Sequence, residues 1–250
     1  MDRAAEGTAG GSACTWAPTR KRMEEPVSID TVVLDLDGTL VDSVYVHVTC
    51  WKSALADVGV EVSSYRIHRA IGMGGDRLVT EVAGPAVEHA LGDTVRSLHA
   101  RHFNERFGLV TALDGASELL ENLRERGLKP VLASSGDAAM TDQLLELIQD
   151  SSALLERISG DETEQSKPAP ELVEVALSSV GAEGALVVGD TVWDVEAAAK
   201  AGVPCVGLLS GGLCEADLRA AGAVAVFGTP RDLLENLDKA LESAGHGTGS

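Results

Sequence analysis

The strongest constraint on the fold of this chain is an alternation. Short, mostly apolar runs are followed by stretches with helical periodicity, again and again, from about residue 30 to residue 241. The runs are Thr31–Leu34, Lys129–Ala133, Ala185–Val188, Pro204–Leu208 and Ala223–Phe227, and the helical segments include Ala138–Ile148, Pro170–Val180, Thr191–Ala201 and Pro230–Leu241. A strand apolar at every position is buried on both faces, and the helices that follow must cover those faces. The expected fold is therefore α/β, with a parallel sheet sandwiched between helical layers. Aromatic residues make up only 3% of the chain, so the core has to be built from Ala, Val, Leu and Ile.

One stretch breaks the rhythm. From Val44 to about Thr111 no strand is apparent, only helical patterns such as Val44–Val58 and Pro85–Phe107. Asp42 and Ser43 supply an N-cap signal for the first of them. The expectation is an inserted all-helical cap at residues 44–111, with the α/β core made of 29–43 and 112–244. Residues 1–28 are expected to be a disordered N-terminal tail and 245–250 a disordered C-terminal end. Ligands of open parallel sheets bind beyond the carboxyl ends of the strands. The insertion leaves the sheet at that edge, where it can serve as a lid.

A formal net charge of −19 on 250 residues argues against nucleic acid or an anionic membrane as a partner. An anionic substrate would need a metal ion or a fixed cation to offset that field. Six of the 20 basic residues are lysines, which draws attention to any lysine within a motif. Cys14, Cys50, Cys205 and Cys214 show no zinc-like spacing and read as unpaired thiols. With no secretory signal and no long apolar span in view, the expected location is the cytoplasm, as a monomer or small homo-oligomer.

Four features fall at the carboxyl ends of expected strands. Asp35-Leu36-Asp37-Gly38-Thr39-Leu40 follows the first run. Residues i and i+2 of an extended segment share a side, so both carboxylates can serve one substrate, and the glycine permits a sharp turn. Ser134-Ser135-Gly136 ends the second run, where hydroxyl and main-chain N–H groups can bind an anion. Ser166-Lys167-Pro168-Ala169-Pro170 holds a lysine between restricted neighbours. Gly189-Asp190-Thr191-Val192-Trp193-Asp194 places two acids a helical turn apart, suited with Asp35 to a hard cation such as Mg²⁺. Taken singly, each also reads as an ordinary turn, cap or surface residue; together they converge on one end of one sheet.

This ordered set resembles the haloacid dehalogenase superfamily of aspartate-nucleophile phosphohydrolases, over about Asp30 to Leu241. The resemblance implies a Rossmann-like core with a mobile helical cap and Mg²⁺ as cofactor. It implies Asp35 as nucleophile, Asp37 as general acid/base, Ser134 as phosphate ligand and Lys167 as charge-stabilising lysine. Asp190 and Asp35 are implied metal ligands together with the main-chain carbonyl of Asp37, and Asp194 supports them. Thr39, Ser135 and Gly136 join the expected substrate site. The second motif aspartate disfavours dehalogenation, and a cap offering only Lys52 disfavours phosphonate cleavage.

Within that branch the expected activity is hydrolysis of a small phosphorylated metabolite. His47 and Trp51 resemble the first cap helix of β-phosphoglucomutase, which keeps a phosphosugar mutase as the alternative. A silent ligand-binding regulator is the further one. The turn Ile71-Gly72-Met73-Gly74-Gly75-Asp76-Arg77-Leu78 is the expected specificity loop, with His47, Gly74, Gly75 and Arg77 as substrate contacts. Arg66, His68 and Arg69 flank it.

Overall fold

The computed structural model describes residues 28–149, 151–163 and 165–246. Strand β1 (Thr31–Leu34) leads through a short turn to β2 (Val41–Asp42). Four helices follow, α1 (Val44–Asp57), α2 (Ser64–Ala70), α3 (Gly75–Ala83) and α4 (Pro85–Arg106). Then β3 (Thr111–Ala112) pairs antiparallel with β2, so the chain leaves and re-enters the sheet domain through one two-stranded ribbon.

The rest alternates: α5 (Ala116–Glu125), β4 (Lys129–Ala133), α6 (Ala138–Leu145), β5 (Glu156–Ile158) and α7 (Glu171–Ser179). After these come β6 (Ala185–Gly189), α8 (Val192–Lys200), β7 (Cys205–Leu208), α9 (Glu215–Ala221), β8 (Ala225–Phe227), α10 (Pro230–Glu235) and α11 (Leu237–His246). Six strands form one sheet in the order β5-β4-β1-β6-β7-β8, every pairing parallel.

The continuous apolar runs are explained by where alternate residues point. Val32 and Leu34 of β1 join Leu132, Leu186 and Val188 in a core closed by Leu119, Leu120 and Leu123 of α5 and by Leu233 and Leu237. Val33 faces the other way, with Val131 and Val187, against Leu172, Val173 and Ala176 of α7 and Val195 and Ala198 of α8. Both faces are dry along the middle of the central strands, so their sequences run apolar up to the strand ends. The cap helices have their own core, in which Val44, Val48, Trp51 and Leu55 of α1 meet Ile67, Leu78, Val82 and Val95. That i, i+4, i+7, i+11 stripe is the amphipathic signature of a helix laid on its neighbours.

Two expectations needed correction. The final helix is two: Asn236 breaks it, its Nδ2 donating to the Asp232 carbonyl at 2.8 Å and to Asp232 Oδ1 at 3.0 Å. Such side-chain bonds compete with the helical ladder. Strand β5 was not expected, because Glu156 and Arg157 give it no apolar run; it is an edge strand with only Ile158 buried. The expected N-terminal tail lies outside the described residues except Ser28, and Gly245 and His246 belong to α11. Cys14 also lies outside them, while Cys50, Cys205 and Cys214 are free thiols. Among the described residues, no helix is long and apolar enough to cross a membrane.

Candidate active site

Three adjacent central strands, β4, β1 and β6, end side by side, and their next residues build the site. Asp35 follows β1, with its N–H donating to the Val188 carbonyl of β6 at 2.9 Å. Its carboxylate is buried and accepts from the Lys167 ammonium. Lys167 also meets Asp194 Oδ1 at 2.7 Å and donates to the Ala133 carbonyl at the end of β4 at 3.0 Å. The lysine is only 2% exposed, so the ammonium is held by these partners rather than by solvent.

Asp190 follows β6 and is fully enclosed. Thr39 Oγ1 donates to its Oδ1 at 3.1 Å, while Oδ2 has no hydrogen-bond partner. Asp194 sits at the third helical position of α8 in a capping box. Its Oδ2 accepts from Thr191 N at 3.1 Å and Thr191 Oγ1 at 2.6 Å, leaving Oδ1 for Lys167. One carboxylate oxygen from each of Asp35, Asp190 and Asp194 lies within 4.8 Å of the others.

Two glycines are required for this packing. Gly38 has φ +75°, and a Cβ there would stand 2.4 Å from Asp190 Oδ2; one on Gly211 would stand 1.7 Å from the same atom. Only glycine lets both backbones approach the carboxylate so closely.

The electrostatics follow from three carboxylates sharing one ammonium in a dry place. Burial pushes Asp35 up to about 7, with Asp194 and Asp37 adding to the rise and Lys167 opposing it. Burial, Asp194 and Asp35 push Asp190 well above the ordinary carboxylate range. Burial alone would lower Lys167, but Asp194 and Asp35 outweigh it and hold the ammonium charged. A buried acceptor without a donor and an excess of negative charge are what a hard divalent cation would relieve, and an all-oxygen donor set suits Mg²⁺. The residues present therefore fit the implied metal.

Asp37 is set apart from that cluster. Its Oδ1 accepts from Ser43 Oγ and lies 3.0 Å from His47 Nε2. Burial works to raise this carboxyl, but His47 and Ser43 outweigh it and hold it below the ordinary range. The side chain of Asp37 is thus committed to the cap helix α1, and any part in metal binding falls to its main-chain carbonyl.

A cleft of about 380 Å³ opens above Asp35 and Asp37. His47, Gly74, Gly75, Ser135 and Gly136 line it as expected, joined by Trp51, Met73, Arg96, His99, Asp137, Met140 and Asp161. Arg96 is neutralised locally by Glu88 at 2.8 Å and Asp93 at 2.8 Å. Ser134 is buried just beneath, with its Oγ accepting from Gly136 N at 3.1 Å. Thr39 faces Asp190 rather than the cleft. Arg77 stands outside it, donating to Gln165 Oε1 at 3.3 Å. His68 and Arg69 instead join cap to core, through His68 Nε2–H to the Gly211 carbonyl at 2.9 Å and Trp193 Nε1–H to the Arg69 carbonyl at 3.1 Å. Ser135 Oγ adds a third such bond, to the Gly72 carbonyl at 3.1 Å. Lys52 points away, donating to Ser64 Oγ at 3.3 Å.

Fold and site define an α/β enzyme with a carboxylate–ammonium centre at the strand ends, under a helical cap. The model of the haloacid dehalogenase-like hydrolase family matches residues 29–202, and a related HAD-hydrolase-like model matches 165–240. The phosphoglycolate phosphatase of Pseudomonas putida is 29% identical over 188 residues, covering 72% of this chain and 69% of its own. A hydrolase from Pseudomonas syringae has the same fold with a TM-score of 0.80 and 35% identity, over 84% of this chain and 98% of its own. A β-phosphoglucomutase candidate from Bacteroides vulgatus shares the fold at a TM-score of 0.73 and 21% identity, over 88% of this chain and 92% of its own.

The chain belongs to the haloacid dehalogenase-like hydrolase family. Within it the chain falls in the branch that holds the phosphoglycolate phosphatases and β-phosphoglucomutase-like proteins, and it is a phosphoric monoester hydrolase.

Proposed function

We propose that the protein is a magnesium-dependent phosphatase of the cytoplasm, acting on a small phosphorylated metabolite of the phosphoglycolate or sugar-phosphate type. The observation that carries this reading is the pairing of two carboxylates with opposite surroundings. Asp35 is bound to a buried ammonium at the central strand end, while Asp37, two residues on, is held by Ser43 and His47 at the same cleft.

In the first half-reaction an Asp35 carboxylate oxygen attacks phosphorus and the ester P–O bond breaks. Asp37 must be protonated at this step and ionised in the next: it gives its proton to the leaving alkoxide, so the alcohol departs neutral and an aspartyl-phosphate remains. In the second, Asp37 takes a proton from water as the water oxygen attacks phosphorus, releasing phosphate and restoring Asp35. Lys167 offsets charge on the phosphoryl oxygens throughout, and Ser134 with the main chain of Ser135 and Gly136 orients them. Asp35, Asp190 and the Asp37 carbonyl, with Asp194 alongside, would hold Mg²⁺, which supplies further positive charge to the phosphoryl group when bound. Residues 44–111 serve as the lid, with the β2–β3 ribbon at their base as the hinge.

One observation favours a second reading. His47, which follows the nucleophile position by twelve residues as in the mutase pattern, does touch Asp37. Phosphate release from phosphoglycolate, sugar phosphates and β-glucose 1-phosphate, with Mg²⁺ and with EDTA, separates the two. Magnesium-dependent release supports the phosphatase, and Asp35→Asn should abolish it while leaving the far-UV spectrum unchanged. Glucose 6-phosphate formed with little phosphate would make the mutase the answer. An Asp35→Asn variant near wild-type rate would remove the nucleophile.

A further inference from the structure

The cleft holds a polar chain that this reaction scheme leaves unused. His99, on α4, is buried, and its Nε2 lies 3.0 Å from Nδ1 of His47 on α1. His47 Nε2 in turn lies 3.0 Å from Asp37 Oδ1. Both rings are clamped by aromatic faces. Trp51 stacks on His99 with centroids 4.0 Å apart, and Phe103 stacks on His47 at 4.3 Å. Rings packed in this way cannot swing to find other partners.

Hydrogen-bond accounting constrains each link. Where the Asp37 carboxylate accepts, His47 Nε2 carries the hydrogen. His47 Nδ1 and His99 Nε2 then share one hydrogen across their 3.0 Å contact, and either ring can carry it. Burial and the neighbouring His47 hold His99 well below the ordinary histidine range, which keeps it neutral. Among the described residues His47 is the one hydrogen-bond partner of the His99 ring.

We propose that His99 is a positioning residue that acts through His47, fixing the ring whose Nε2 faces the carboxylate of Asp37. It orients a residue that orients the acid/base, as outer partners of reacting groups commonly do. The inference rests on the reading that Asp37 moves protons at the leaving oxygen.

The test uses His99→Leu, which removes the hydrogen-bond partner of His47 at similar size, and His99→Gln, whose amide can replace it. Each is assayed with Mg²⁺ on the best alkyl phosphate and, in single-turnover mode, on p-nitrophenyl phosphate, whose leaving group needs no proton. His99→Leu should lower kcat on the alkyl phosphate by about tenfold or more, within the roughly 100- to 10,000-fold that a positioned acid–base supplies. KM should barely move, His99→Gln should recover most of the loss, and p-nitrophenolate release should stay near wild type. Equal losses in the two variants, equal losses on the two substrates, or no loss at all would overturn the proposal.

Nitrogen-15 NMR of His47 in the wild-type chain judges it without any variant folding: a protonated Nε2 and a hydrogen-bonded Nδ1 are expected, and an Nε2 without its hydrogen or an Nδ1 free of any hydrogen bond would refute it. Asp37→Asn is the control for the reading beneath. If that variant shows no selective loss on alkyl phosphates, the acid/base assignment fails, whatever His99 does.

Discussion

Replacing Asp190 by asparagine should have opposite effects with and without magnesium. Asp190 shares its space with Asp35 and Asp194, one oxygen of each lying within 4.8 Å of the others. At 4.8 Å and an effective dielectric near 20, two like charges repel by about 3.5 kcal/mol. Lys167 cancels part of this, leaving a burden of about 1–3 kcal/mol on the metal-free fold. Asparagine removes the charge yet keeps an oxygen for Thr39 Oγ1, now 3.1 Å from Asp190 Oδ1. In EDTA at pH 7 the variant should therefore melt higher, by about 2–4 °C for each kcal/mol in a domain of this size.

The sign also fixes the pH dependence. Asp190 is raised above its ordinary 3.8, so the wild-type chain loses stability as pH rises through the shifted value, and the variant does not. Its advantage should shrink as pH falls towards 3.8. Magnesium reverses the order: at 100 times its dissociation constant a ligand stabilises by about 2.7 kcal/mol. The wild type should gain that increment and the variant little of it. Scanning calorimetry of both proteins in EDTA and in Mg²⁺ measures all four states. A variant that melts lower in EDTA, or that gains as much from magnesium as the wild type, would refute the reasoning.

Two further outcomes are expected. Asp30, which binds Lys129 at 2.8 Å ahead of β1, has its carboxyl lowered from 3.8 to about 2; burial works upward, but Lys129, Thr31 and the N–H groups of Gly184 and Glu183 outweigh it. Its contribution is present above 3.8 and lost as pH falls towards 2, so Asp30→Asn should cost about 1–2 kcal/mol in urea unfolding at pH 7, after allowance for its partial exposure. A gap that persists unchanged in strong acid would contradict that cause. Gly211→Ala must displace the Asp190 carboxylate, because the new Cβ would stand 1.7 Å from Oδ2. Activity should fall by about a hundredfold, the scale of a 1 Å misplacement, together with the magnesium-dependent rise in melting temperature; an active, magnesium-responsive Gly211→Ala protein would show that the carboxylate has room to move.

The sheet was readable because its strands have no choice of composition. Residues 32–34 and 130–133 are dry on both faces, so the apolar run stops with the strand itself. Each run ends where the chain reaches the cleft, and that is where Asp35, Ser134 and Asp190 stand out. Strand β5 gave no such signal, since an edge strand with one buried residue of three looks like a loop. Asn236 hid the break between α10 and α11, because a single polar residue in a helical pattern usually faces water.

His99 was missed for a different reason. A histidine in a long helix reads as solvated, and its partner His47 is 52 residues away. The signal was nevertheless there: Val95, His99 and Phe103 follow one another at i+4 on the buried side of α4. A polar residue on an apolar stripe needs a partner. Arg77 shows the converse, since nothing in a glycine-rich loop says whether an arginine turns inward or, as here, toward Gln165.

Asp194 divides its two oxygens between two tasks, one closing the first turn of α8 and the other meeting the Lys167 ammonium. The rigidity of a helix is thereby lent to a side chain that would otherwise have four rotatable bonds. The lysine's place is registered against a secondary-structure element, in the way a tool bit is registered against its chuck. A glutamate at 194 would keep the charge and lose the register, so at this position geometry, rather than charge, limits what the chain can accept.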